Sequence, residues 1–351
     1  MNSIRIDLIS DTATKPTKAM RQAMADAEVG DEQLHEDPTV NALCERVATL
    51  LGKQSALFLP SGTMCNQIAI LCHCRPGDEI IADETAHIIA YEGAGAATLA
   101  GALIRSIPSP RGIFTAADVK AAIRPLGHKS PRSRLVVVEQ TSNAGGGSVW
   151  PLETIGEISD VARENDLATH MDGARLLNAV VATGVSAESY SNPFDSVWLD
   201  LSKGLGCPFG GVLAGSEEFI EAAWGHKHRL GGAMRQAGIM AAAGLYSLDH
   251  HVDRLAEDHA NAQFFARRLA EGKGLQIIGE PVETNLVFID VRGTGHTAGE
   301  IAHRLGQRGV RIDVESPSIL RAVTHLDVSR SMVEEAADIF LEVISSHETR
   351  L

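Results

Sequence analysis

A series of short apolar segments that do not alternate with polar residues limits the fold of this chain more than any other feature. These segments lie at residues 56–59, 79–82, 135–138, 167–171 and 197–199. A strand buried on both faces has this texture, whereas a strand with one solvated face alternates between apolar and polar side chains. Segments with helical spacing, such as residues 154–165, lie between them. The pattern predicts an α/β fold, with helices on both sides of a largely parallel sheet.

The texture of the chain changes near Tyr246. The expected elements from there are a charged helix through Leu269, a strand at 285–291, a helix through Arg308 and a strand near Val310. At 351 residues the chain is also long enough for two domains. We therefore predict an N-terminal arm and a large domain over residues 1–244, and a small C-terminal α+β domain over residues 245–351.

Charge and composition restrict the partners. A formal net charge of -14 repels nucleic-acid phosphates and anionic membrane surfaces, so small molecules are the expected partners, with no nucleic acid and no membrane. Asp7 and Asp11 interrupt the stretch where a signal peptide needs an apolar run, which predicts a cytoplasmic protein. The five cysteines do not form a disulfide framework, and Cys72-His73-Cys74 lacks a second ligand pair at zinc-site spacing. No metal is expected.

A turn at Ser61-Gly62-Thr63 separates a predicted strand from a predicted helix. Free backbone N–H groups and the positive end of the helix dipole can hold a phosphate at such a position, and the two hydroxyls can add donors. An ordinary turn with a helix N-cap is the alternative for this tripeptide taken alone.

Two ionisable residues follow further strands. Asp172 ends an apolar segment, where its carboxylate can keep a pyridine nitrogen protonated; a salt-bridged acid is the alternative. Lys203 follows another apolar segment and lies within Ser202-Lys203-Gly204. A desolvated lysine can lose its proton well below its ordinary pKa of about 10.4 and attack an aldehyde, although the side chain can also extend to the surface.

Seven motifs in order extend this pattern over essentially the whole chain. They are residues 7–14 (DLISDTAT), 37–41 (DPTVN), 58–63 (FLPSGT), 170–175 (HMDGAR), 201–206 (LSKGLG), 232–236 (GAMRQ) and 323–328 (VTHLDV). In these motifs the chain resembles the low-specificity L-threonine aldolases. The resemblance implies a fold-type I pyridoxal-phosphate enzyme with a mostly parallel seven-stranded sheet. It also implies active sites formed between two subunits of a homo-oligomer, commonly a tetramer.

The resemblance further implies the reaction, which is cleavage of a β-hydroxy-α-amino acid to glycine and an aldehyde. Lys203 would carry the cofactor covalently, and Asp172 would pair with its ring nitrogen. The residues implied for the phosphate are Ser61, Gly62, Thr63, Ser202 and, across the subunit boundary, Arg235.

The remaining implied roles concern the ring and the substrate. His87 would stack on the ring and move protons near the β-hydroxyl group. Arg175 would lie near the ring oxygen, and Arg321 with Ser10 would bind the substrate carboxylate, for which a planar guanidinium is well suited.

Three positions depart from the family pattern. Ser142 stands where the family usually has a histidine near the substrate hydroxyl, so we expect Ser142 to take that place in substrate binding. Ile9 replaces an arginine and Leu34 a tyrosine. Loss of a hydrogen-bonding group favours relaxed stereochemical preference or a bulkier aldehyde. A related β-eliminating lyase or racemase, and an inactive cofactor-binding protein, remain alternatives at this point.

Overall fold

The computed structural model describes residues 4–345. Its strands are β1 (Ile6–Leu8), β2 (Ser55–Leu59), β3 (Asp78–Asp83), β4 (Leu103–Ile107), β5 (Arg132–Glu139), β6 (Ala168–Gly173), β7 (Ser196–Asp200), β8 (Gly211–Gly215), β9 (Gln276–Ile278), β10 (Leu286–Asp290), β11 (Val310–Ser316) and β12 (Ile319–Val323). Its α-helices are α1 (Lys18–Ala25), α2 (Pro38–Leu50), α3 (Gly62–His73), α4 (His87–Ala90), α5 (Gly95–Leu99), α6 (Ala116–Ala122), α7 (Leu152–Glu164), α8 (Leu176–Thr183), α9 (Ala187–Ser191), α10 (Glu217–Arg229), α11 (Gly238–His250), α12 (Leu255–Ala270), α13 (Ala298–Gln307) and α14 (Arg330–Ser345). Within these bounds no helix combines the length and the apolar character that a membrane crossing requires.

The large sheet has seven strands in the order β2-β8-β7-β6-β5-β3-β4. Strand β8 runs antiparallel to both of its neighbours, and all other pairs of adjacent strands are parallel. Every residue of β3, β6 and β7 is buried, as the unbroken apolar texture predicted. Every residue of β8 is buried as well, although the apolar pattern did not identify this strand. The predicted α/β fold with a mostly parallel seven-stranded sheet is confirmed.

Helix α2 shows how local sequence sets an element. The Asp37 carboxylate accepts hydrogen bonds from the first free backbone N–H groups, and Pro38 occupies the first helical position, where no N–H is needed. The buried side chains Val40, Leu43 and Val47 recur at helical spacing and face the core of the large domain.

A second sheet has the strand order β1-β11-β12-β10-β9. Strand β1 pairs parallel with β11, with Ile6 opposite Val310, so the N-terminal segment joins the C-terminal sheet and core. Residue 244 lies inside α11, and the division of the chain at that residue therefore stays a prediction.

The prediction of one helix from Tyr246 through Leu269 is wrong. Helix α11 ends at His250 and α12 begins at Leu255. Between them, the buried His251 ring lies 2.7 Å from the Leu205 carbonyl oxygen, through Nδ1. That contact fixes the break, because it ties the segment to a loop of the large domain.

Candidate active site

A cavity of about 370 Å³ opens where strands of the large sheet end. Glu139, Asp172 and Asp200 reach it from the carboxyl ends of β5, β6 and β7, the edge where parallel sheets place functional groups. The cavity brings together most of the residues singled out from the sequence: Ser10, Ser61, Gly62, Thr63, His87, Asp172, Arg175, Ser202, Lys203 and Arg321.

The predicted phosphate turn forms the start of α3. Ser61 is the N-cap, and its Oγ accepts a hydrogen bond from the Met64 backbone N–H at 3.2 Å. Gly62 allows close packing, because a Cβ atom there would lie 2.2 Å from the buried Trp198 ring. Residues 61–63 line the cavity at the first turn of α3, where backbone N–H groups have no partner within the helix, and such groups together with the Thr63 hydroxyl fit a phosphate.

Asp172 is buried and held in one orientation. Its Oδ2 accepts from Asn66 Nδ2 at 2.7 Å, and its Oδ1 accepts from the Ala174 backbone N–H at 3.0 Å. Burial raises the pKa of this carboxyl, and the Lys203 ammonium offsets only part of the effect. A further positive charge, such as a protonated pyridine nitrogen, would stabilise the carboxylate, so Asp172 fits its predicted role.

Asn66 links Asp172 to the interior of the domain. Its Nδ2 also donates to Glu92 Oε1 at 2.7 Å, while its Oδ1 accepts from Trp198 Nε1 at 2.8 Å and from His170 Nε2 at 3.1 Å. Burial is the main reason that the pKa of His170 falls to about 3, so the ring is neutral and carries a proton on only one nitrogen. That nitrogen is Nε2, because the atom that it faces, Asn66 Oδ1, can only accept. Asn66 therefore has a single orientation with both its polar atoms used.

Lys203 is desolvated, as the sequence predicted, but its pKa moves the other way. Burial lowers the pKa, yet the Asp200 carboxylate, 2.6 Å from Nζ, and the more distant Asp11 and Asp172 raise it more, so the pKa is raised overall. This arrangement does not favour loss of the Lys203 proton well below the ordinary pKa, and attack of the amine on an aldehyde stays a prediction. The physical reason is the surplus of carboxylates around the nitrogen.

His87 is joined to two carboxylates. Its Nδ1 lies 2.8 Å from Glu92 Oε1, and its backbone N–H donates to Glu139 Oε2 at 2.8 Å. Burial alone lowers the pKa of His87. The bond to Glu92 and the charges of Asp172 and Glu139 together raise this pKa by more than burial lowers it, so the net shift is upward. Burial and Asp172 raise the pKa of Glu139 to about 7, despite its bond from the Asn143 backbone N–H.

Arg175 lies in the cavity wall but is already paired. Asp11 accepts from its Nε at 2.7 Å and from its Nη2 at 2.8 Å, and both side chains are buried. Its Nη1 donates to Asn143 Oδ1 at 3.2 Å. The pair fixes the guanidinium plane and leaves the Nη1 side facing Asn143.

Arg321 approaches the same asparagine from the small sheet. Its Nη1 lies 3.4 Å from Asn143 Oδ1 and 2.9 Å from Glu315, and its Nη2 donates to Asp313 at 2.6 Å. Two guanidinium groups thus converge on Asn143, and Asp11, Asp313 and Glu315 pair with them.

Two predicted residues lie outside the cavity lining. Ser142 is buried, and its Oγ accepts from the Gly145 backbone N–H at 3.2 Å and packs against Gly112. The Arg235 side chain is 63% exposed and donates to Asp31 at 2.8 Å. Of the other departures, Leu34 is 64% exposed and also lies outside the lining. The predicted roles of Ser142 and Arg235 stay predictions.

Several residues of the site carry no motif that assigns them a role. They are Asp11, Asn66, Glu92, Glu139, Asn143 and Asp200. Asp200 had the clearest available signal, because it precedes Lys203 by three residues at the end of the same buried segment. The others needed tertiary contacts.

His87, Glu92 and Asp172 also bring one ligand atom each to within 4.8 Å of one another. Asn66 donates to both carboxylates, and Gln67 Nε2 donates to the second oxygen of Glu92 at 2.5 Å. These bonds occupy much of the ligand capacity of the acids. The expectation that the protein holds no metal stays a prediction.

Comparisons with known proteins agree on one family. A family model described as beta-eliminating lyase matches residues 7–294. The low specificity L-threonine aldolase of Escherichia coli strain K12 is 42% identical over 339 residues, which cover 95% of this chain and 97% of that protein. Low-specificity L-threonine aldolase 1 of Arabidopsis thaliana is 38% identical, over 97% of this chain and 96% of that one. A solved structure of Leishmania major threonine aldolase has a TM-score of 0.83 at 19% identity, covering 97% of this chain and all of that one (100%).

Proposed function

We propose that this chain, which belongs to the low-specificity L-threonine aldolases within the beta-eliminating lyase family, accepts β-hydroxy-α-amino acids bulkier than threonine as well as threonine itself. It is a pyridoxal-phosphate-dependent carbon–carbon lyase of the threonine aldolase type. One observation carries the site assignment. Lys203, Asp172 and the turn at 61–63 line a single cavity. The broader substrate range rests on the loss of hydrogen-bonding side chains at Ile9, Leu34 and Ser142 relative to the family pattern, although none of these residues lines the cavity of this chain.

The residues present fit the cofactor. Lys203 would hold it covalently, Asp172 would hold its ring nitrogen, and residues 61–63 would hold its phosphate. When bound, pyridoxal phosphate supplies an electron-poor ring that accepts the electron pair left by a broken Cα bond. The rest of the work falls to the side chains of this chain.

Substrate orientation is the task of the two arginines that converge on Asn143. Arg321 binds the substrate carboxylate, and Asn143 and Ser10 line the same region. Both arginines are engaged by carboxylates, Arg175 by Asp11 and Arg321 by Asp313 and Glu315. Arg321 is the better candidate, because its buried Nε atom has no hydrogen-bond partner among residues 4–345. A carboxylate fixed at Arg321 determines how the Cα substituents are directed, and that direction selects which bond breaks.

Proton transfer is the task of His87. Its Nδ1 is engaged by Glu92, which leaves Nε2 to take the proton of the β-hydroxyl, directly or through water. Glu139 lies beside the His87 backbone and also lines the cavity. With a pKa near 7 it can exchange a proton under ordinary conditions, and so it is a second acid–base group of the site.

Arg235 supports a site shared between subunits. The cations that line the cavity, Lys203, Arg175 and Arg321, are each paired with a carboxylate of the chain itself. A phosphate dianion would gain from a further cation, and Arg235, whose 63%-exposed side chain pairs with Asp31 at the surface, can supply it to a second copy of the chain. The protein is then a dimer of subunits that share their active sites. Analytical ultracentrifugation distinguishes such a dimer from a tetramer. Arg235→Ala should weaken cofactor binding without unfolding the chain.

A cytoplasmic location is also part of the proposal. All five cysteines are free, which suits a reducing compartment.

A substrate panel tests the proposed function. Threonine, allo-threonine, phenylserine and hydroxyaspartate, in both Cα configurations, are each incubated with the enzyme and scored for glycine release. We expect glycine from the L-isomers, with phenylserine at least as good as threonine, and none from Lys203→Ala. Release of ammonia and a keto acid without glycine would instead identify a β-eliminating lyase. Cofactor binding without any turnover would identify an inactive relative.

A further inference from the structure

A carboxylate stands in direct contact with the nitrogen of Lys203. Asp200 is the last residue of β7, and its side chain is only 4% exposed. Its Oδ2 accepts from Lys203 Nζ at 2.6 Å, while its Oδ1 accepts from the backbone N–H of Ser202 at 2.7 Å and from the Ser202 hydroxyl at 2.9 Å. The backbone bond and the strand end together fix the carboxylate in one orientation.

The other carboxylates near Lys203 are bound elsewhere. Asp11 is engaged by Arg175, and Asp172 by Asn66. The charged groups that face Lys203 are Asp200, Arg175, Asp11 and Asp172. The titratable and charged groups that face Asp200, besides Lys203, are Arg175, Cys65 and Cys207. Within residues 4–345, Asp200 is therefore the acid that forms an ion pair with Lys203.

We propose that Asp200 is a positioning residue that holds the nitrogen of Lys203, together with its proton, at the edge of the cofactor cavity. The inference rests on the proposed function, because it takes Lys203 as the residue that carries the cofactor. Asp200 binds the protonated amine whenever Lys203 is not joined to the cofactor, which is the arrangement in this structure. Asp200 keeps the Lys203 side chain, which is 18% exposed, from rotating away, since the contact is short and the Asp200 side chain is only 4% exposed.

The bond from Ser202 adds a second consequence. Because the Ser202 hydroxyl hydrogen points to Asp200, that hydroxyl meets any other ligand as an acceptor rather than as a donor. Asp200 thus sets the orientation of two neighbouring side chains, and the phosphate depends more on residues 61–63 than on Ser202.

The test measures proton affinity rather than turnover. The visible absorbance of the cofactor on the holoenzyme is recorded against pH, since the band responds to protonation of the nitrogen that links it to Lys203. Asp200→Asn keeps a group of the same shape and removes the charge, so we expect the midpoint to fall by about 1–3 pH units. Asp160→Asn is the matched control, because Asp160 is exposed and pairs only with Arg163 on the surface of α7.

If the pH midpoint of the cofactor absorbance in Asp200→Asn equals that of the wild type, the inference is overturned. It is also overturned if Asp160→Asn shifts the midpoint as much as Asp200→Asn does. If Asp200→Asn binds no cofactor, the pH dependence of Lys203 acetylation is compared by peptide mass spectrometry in the cofactor-free variant and wild type. A lower midpoint in the variant supports the inference and an equal one overturns it. Failure of the proposed function is separate, because it would appear as a cofactor absorbance that survives in Lys203→Ala.

Discussion

Replacing Asn66 with alanine removes the side chain that links Asp172, the acid proposed to hold the cofactor's ring nitrogen, to the buried Glu92, Trp198 and His170. Its Nδ2 bonds to buried Asp172 and Glu92 are both 2.7 Å long, and bonds to charged groups contribute about 1.5–3 kcal/mol each. The donors of Trp198 and His170 lose their acceptor as well. Water entering the space restores part of the loss, so we expect the free energy of unfolding to fall by about 3–5 kcal/mol.

The assay is urea unfolding of the cofactor-free chain, followed by tryptophan fluorescence and circular dichroism together. Asn165→Ala is the control, because Asn165 is exposed and its side chain bonds only to the Val161 carbonyl of its own helix. That control should change stability by no more than about 0.5 kcal/mol. A loss below about 1 kcal/mol in Asn66→Ala would show that the four-bonded arrangement does not form.

Three further outcomes are expected. Gly62→Ala should weaken cofactor binding at least about tenfold in an absorbance titration, since its Cβ would overlap the Trp198 ring, whereas Gly127→Ala, with nothing within 4 Å, should bind normally. Glu139→Gln should remove an ionisation near pH 7 from the pH profile of kcat/KM, and a profile that keeps it would assign that group elsewhere. Burial lowers the pKa of His170 to about 3, so the unfolded chain takes up the proton first as pH falls. The stability this residue contributes is complete above about pH 6.5 and declines below it, and the urea midpoint should fall less steeply with acid in His170→Gln.

Local patterns were enough to predict a largely parallel α/β sheet and to single out Asp172, Lys203 and the turn at 61–63, whereas the number of strands and the other site residues came from the family resemblance. Unbroken apolar strands determine a buried parallel sheet, and such a sheet places the residues after its strands at one edge. Asp172, Lys203 and the turn at 61–63 could therefore be brought together without coordinates.

The rest of the site depends on contacts that no local pattern contains. Asn66 meets residues that are 26, 104, 106 and 132 positions away in sequence. The pairing of Ile6 with Val310 likewise joins the two ends of the chain. The pKa of Lys203 could not be predicted either, because its direction depends on a balance between burial and three surrounding carboxylates.

The most direct measurement is the site of cofactor attachment. Holoenzyme is reduced with borohydride, digested and analysed by mass spectrometry for peptides that carry the added mass of the cofactor. The account predicts that mass on Lys203 alone. A modified lysine at any other position in an enzyme that still releases glycine would contradict it.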